Sequence, residues 1–123
     1  MSFGEHVFYN TKDLSMAEKR SMLRDCKEIS YDWHADTLDC SVSWCRQRFD
    51  CSFDEILKYL QDSTRVVVIN RGIWGSPLGN NREHFEVGFR TMEGLIDYFL
   101  FIQVDAVKMY PILEKYQLKP IEY

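Results

Sequence analysis

No apolar run in this chain is long enough to cross a bilayer. The longest, YFLFIQV at residues 98–104, has seven residues, whereas a spanning helix needs about 20. A basic excess is missing too: 15 Lys and Arg stand against 19 Asp and Glu. That balance argues against a dedicated nucleic-acid binder, whose domain carries a basic face. The start, MSFGEHVFYN, has neither a basic segment nor an apolar stretch of signal-peptide length, so export is not expected. There is no internal repeat, low-complexity tract or linker. The expectation is one globular domain over residues 1–123, cytoplasmic, with no membrane contact. Its four cysteines, Cys26, Cys40, Cys45 and Cys51, are then expected as thiols. In an exported protein they would allow three disulfide pairings.

What is present is apolar and aromatic. Apolar residues make up 46% of the chain, aromatic ones 15% and charged ones 28%, a composition that folds rather than stays disordered. A chain of this length removes roughly two thirds of its unfolded surface from water on folding. The aromatic content supplies large core anchors and some that an interface would favour.

Local patterns place the elements. Residues 5–10, EHVFYN, read as a short strand or extended arm. Ser15 with Glu18 has capping-box spacing and starts a helix, with Leu23, Cys26 and Ile29 as its apolar stripe. Residues 37–45, TLDCSVSWC, fit both periods: Leu38, Cys40, Val42 and Trp44 alternate, while Leu38, Val42, Cys45 and Phe49 make a helical stripe. Asp, Ser and Thr are poor helix-interior residues, which favours a strand. Ser52 caps a second helix with Asp54 and Glu55 in its first turn and Phe53, Ile56, Leu57 and Leu60 on one face. TRVVVIN is a buried strand, HFEVGFRT a half-exposed one, and YFLFIQV another buried strand. MEGLID between the last two is compatible with a helical turn. A final helix begins near Asp105, but Pro111 implies a late start near Tyr110 or a kink. The fold expected is α+β: an antiparallel sheet of four or five strands, the last three a meander, with two or three helices on one face.

No constellation of catalytic residues stands out, and no cofactor is implied. Cys40 and Cys45 are separated by four residues and would face opposite sides of a strand, which speaks against a structural zinc site. Cys45 sits between Trp44 and Arg46, but a nucleophilic thiol also needs a histidine in space, and sequence does not bring His34 or His84 to it. GSPLG at 75–79 is not a nucleophile elbow, because Ser76 directly follows Gly75.

The segment RGIWGSPLGNNREH, residues 71–84, holds three of the six glycines. It leads into a strand rather than a helix and lacks the lysine and hydroxyl of a phosphate loop. Yet it is longer than the two to five residues of an ordinary hairpin loop, and it carries apolar Ile73, Trp74 and Leu78. Either these cover the sheet edge or Trp74 is an anchor flanked by arginines. By elimination, the expectation is a small non-catalytic module that binds another protein, of inhibitor, immunity or adaptor type. Arg71, Ile73, Trp74, Asn80, Asn81 and Arg82 are its contact residues, with a homodimer through the sheet edge or loop as one arrangement. The alternative is a domain that handles a small molecule or nucleotide, as a hydrolase or transferase, through His84, Glu86 and Arg90 on the adjoining strand.

Overall fold

A computed structural model describes residues 6–39, 46–48, 52–72 and 83–122, with the side chains of 37–39 and 46–48 outside that description. The elements are β1 (Val7–Tyr9), α1 (Met16–Glu28), β2 (Asp32–Asp39), β3 (Arg46–Arg48), α2 (Phe53–Leu57), β4 (Val66–Gly72), β5 (His84–Glu93), β6 (Ile96–Asp105) and α3 (Ala106–Lys115). They build an antiparallel sheet in the order β1-β4-β5-β6-β2-β3. The expected α+β architecture is the one observed. Its sheet reaches six strands because β1 and β3, three residues each, pair along the two edges.

The start of α1 follows from its sequence. Ser15 Oγ accepts from the Glu18 backbone N–H at 3.1 Å, and Glu18 Oε1 accepts from the Ser15 N–H at 3.0 Å, so two otherwise orphaned donors are satisfied. Met22, Leu23 and Cys26 are fully buried on its inner face. Ser52 caps α2, and Phe53, Ile56, Leu57 and Leu60 are buried as the periodicity requires. Asp105 caps α3 through the Val107 N–H. That helix begins at Ala106 and runs on through Pro111, so a late start is excluded. Pro111 cannot donate to the Val107 carbonyl, but Val107 is 75% exposed, so that carbonyl is not sealed in the core by the lost bond.

Residues 37–39 are strand, but within β2, which opens at Asp32. Leu38 lies opposite Arg46 in the antiparallel β2–β3 pair. Residues 40–45 lie outside the described residues. The MEGLID segment is a hairpin rather than a helical turn: Glu93 pairs with Ile96, and Gly94 takes φ +61° between them. A positive φ at the first central residue is what a two-residue hairpin loop demands, and glycine supplies it without strain.

The core lies between the helices and one sheet face. Val66 and Val68 of β4, Phe85, Val87 and Phe89 of β5, and Tyr98, Leu100, Ile102 and Val104 of β6 alternate onto that face and are buried. They join the inner residues of all three helices in one hydrophobic cluster. Each large side chain taken fully from water contributes about 1.5–3 kcal/mol. Trp33 of β2 meets Phe53 of α2 edge-on at 5.3 Å, and Tyr59 stacks on Tyr98 at 3.8 Å. The opposite face carries the other half of each alternation and has none of the three helices on it.

Candidate functional site

Strand register places the chemistry of the open face. On β5, residues alternating with Phe85, Val87 and Phe89 are His84, Glu86, Gly88 and Arg90. On β6 they meet Asp105, Gln103, Phe101 and Phe99 in turn. On β2, Asp32 lies beside Gln103, His34 beside Phe101 and Asp36 beside Phe99. The face is therefore polar at the His84–Asp105 end and aromatic toward its middle. His34 and Phe101 have ring centroids 5.1 Å apart, and Phe101 stacks on Phe99 at 6.0 Å.

Gly88 separates the two zones. A Cβ there would sit 2.0 Å from the Leu100 carbonyl oxygen, so β5 and β6 approach closely where only glycine fits. Having no side chain, Gly88 also leaves the face low between Phe101 and Val67, its neighbours across the ladder.

The polar end is built around Glu86. Arg71 Nε lies 3.2 Å from Glu86 Oε1, and His84 Nε2 lies 3.8 Å from the same oxygen. Arg71 also meets His6 Nδ1 at 3.3 Å. The side chain of His84 is 2% exposed and that of Glu86 18%, so the half-exposed strand expected over residues 84–91 is closed off at this end. His84 Nδ1 is buried with no hydrogen-bond partner among the described residues, and so are Tyr31 Oη and His34 Nδ1. Burial pushes the Tyr31 phenol up to about 12, helped by the negative charges of Glu86, Asp105 and Asp32. At neutral pH it is a hydroxyl with a proton to donate, close to the carboxylates of this end.

The sequence-derived residues separate here. Arg71, Glu86 and His84 converge. Arg90 does not join them: its guanidinium pairs with Asp97, a buried carboxylate two residues beyond the β5–β6 turn. Asn70 bonds Glu83 at 2.9 Å rather than reaching His84, and Tyr110 Oη donates to the same carboxylate. Ile73, Trp74, Asn80, Asn81 and Arg82 lie outside the described residues, as do Cys40, Cys45 and Cys51. Cys26 is a free thiol, fully buried, and burial pushes it up to about 12. It is inert as a nucleophile at neutral pH. Sequence reasoning missed Tyr31, His34, Phe99 and Phe101. The signal for His34 was the weak alternation of Asp32, His34 and Asp36 with Trp33 and Ala35. Phe99 and Phe101 stood in YFLFIQV, which read as a buried strand, whereas they are half-buried on the helix-free face.

Among the described residues no helix is long and apolar enough to cross a membrane. Comparison with protein-family models, with curated proteins and with solved structures found no match to this chain.

Proposed function

We propose that this protein binds a small molecule with a flat apolar body and a polar end on the open face of its sheet. One observation carries the reading: among the described residues the buried His84 imidazole has no partner for Nδ1 beside the Glu86–Arg71 pair, and the Tyr31 hydroxyl, within the field of Glu86, has none either. A buried polar group left unsatisfied costs about 1–3 kcal/mol, and native structures seldom retain one without a functional reason. A ligand that hydrogen-bonds His84 and Tyr31 removes that cost. Its ring would lie over Gly88 against Phe101. The proposal assigns no reaction. It suits a cytoplasmic protein, in keeping with the buried free thiol of Cys26.

The test is ligand-observed NMR with a panel of aromatic amides, phenols and aromatic carboxylates, mapped on the labelled protein. Binders are expected to shift the amides of Glu86, Phe101 and Gln103 and to lose roughly tenfold or more in affinity in Glu86→Gln or Phe101→Ala. Binders that map to other surfaces, or variants that bind as well as the parent, would sink the proposal.

A specific feature also favours the protein-binding reading. The β5–β6 hairpin tip exposes Leu95 at 72%, Met92 at 49% and Ile96 at 40%, an apolar group that solvation alone does not call for. In that reading the hairpin acts as the anchor alongside residues 71–84, and a homodimer would use a sheet edge. Leu95→Asp should then abolish capture of a partner while the melting temperature holds. Unaltered capture removes the hairpin from the interface.

A further inference from the structure

A concavity lies at the β1–β4 edge of the sheet, apart from His84 and Glu86. It is a groove of about 700 Å³ between the segment that leaves β1 and the turn that enters β4. Its wall includes Lys12, Lys19, Arg65 and Ser63, with Phe8 and Val67 as its apolar part. Asp62 is the one carboxylate bearer among its described lining residues, against three cations.

Lys19 is the unusual member. It projects from α1, is only 9% exposed, and its Nζ donates to the Asp62 and Thr64 carbonyls at 3.1 Å each. An ammonium has three donors, so one remains. No carboxylate pairs with Lys19 among the described residues, although buried charges are normally paired. Neutral carbonyls fix the position of the ammonium without cancelling its charge. Lys12 and Arg65, both exposed, add mobile positive charge at the mouth.

We propose that this groove is a binding site for a small molecule bearing a phosphate monoester. The buried Lys19 ammonium takes one phosphate oxygen, and Arg65 and Lys12 close on the others. The Ser63 hydroxyl is a further donor, and Phe8 with Val67 receives the apolar body. Three cations match a dianion better than a carboxylate, and a guanidinium recognises phosphate through two parallel hydrogen bonds. The proposal does not rest on the open-face reading: it uses none of His84, Glu86, Tyr31 and Phe101, although Val67 borders both places.

Backbone NMR titrations of the full chain with inorganic phosphate, phenyl phosphate and benzoate, each against sodium chloride at equal ionic strength, test the proposal. Phenyl phosphate is expected to give saturable shifts at Lys12, Lys19 and residues 63–65, with inorganic phosphate weaker at the same amides. The double variant Lys12→Gln/Arg65→Gln, at two exposed positions, should lose roughly tenfold or more in affinity. Lys19→Met keeps the length and removes the charge, and should abolish binding in the folded protein. Shifts no larger than those of sodium chloride, benzoate binding as tightly as phenyl phosphate, or full affinity in the double variant would each overturn it.

Discussion

At the scale of single residues, Gly88 decides more than its size suggests. It falls in the polar phase of β5, where a surface residue would be expected, yet it is buried and the Leu100 carbonyl occupies the space of its missing Cβ. Gly88→Ala must push β5 and β6 apart at the centre of the sheet. Overpacking of well-packed positions costs about 1–3 kcal/mol and occasionally more, and a backbone obstacle puts this site at the upper end. Urea denaturation should show a loss of about 3 kcal/mol, with the slope unchanged. A loss below about 1 kcal/mol would mean that the strands separate freely there. Sequence alone signals a glycine in a strand but not which carbonyl it faces.

Helix ends and turns set the scale of elements. The capping box of α1 is visible in four letters of sequence and forms as those letters require, because a cap depends only on residues three apart. Ser15→Ala should cost about 1 kcal/mol, the usual value of a lost N-cap side chain, measurable as a lower denaturation midpoint. An unchanged midpoint would mean that packing of Met22, Leu23 and Cys26 holds the helix without its cap. Pro111 shows the opposite case. Its local cost argues for a break, but Met109, Ile112 and Leu113 on either side are buried, and their burial keeps α3 continuous. The helix tolerates the lost bond because it faces outward at Val107.

Over the whole molecule, tyrosines link the layers, with Tyr59 stacked on Tyr98 and Tyr116 bonded to Asp25 of α1. Tyr98 is buried on β6 and stacked on Tyr59. The hydrogen bond to Tyr59, then burial, then the charge of Glu93 push it up to about 12. Tyr31 reaches about 12 as well, mainly through burial. Both are raised above the ordinary value near 10, so between pH 10 and 12 the unfolded chain releases protons that the folded chain retains. Stability therefore declines as pH rises through that window and is undiminished by these groups below it. Denaturant midpoints taken from pH 9 to 12 should fall, with tyrosinate absorbance appearing together with unfolding. In Tyr98→Phe the fall should be shallower. Full tyrosinate absorbance near pH 10 with the fold intact would contradict it. Across the two long helices, Asp25 of α1 accepts from Lys115 at 2.8 Å and from Tyr116 at 2.7 Å. Its own burial resists ionisation, but these two bonds outweigh it and keep the carboxyl below its ordinary range.

Caps, the inner stripes of α1 and α2, the meander of β4, β5 and β6 and the α+β class were all legible in the sequence, since each rests on neighbours a few positions apart or on simple alternation. Early entry into β2 was not, because Ala35 on its inner phase is a weak apolar marker. The hairpin at Gly94 was masked by residues that also suit a helical turn. Sequence placed His84, Glu86 and Arg90 on one face of one strand and left Arg71 in the loop before it, whereas β4 extends to Gly72 and includes it. Sequence did not determine which of them meet. Tertiary structure decided that: Asp97 draws Arg90 away, Arg71 turns to Glu86, and Tyr31 arrives from another part of the chain. Alternation along a strand is an intrinsic period of two, whereas partnership across strands depends on register. Register is set by the packing of the buried face as a whole.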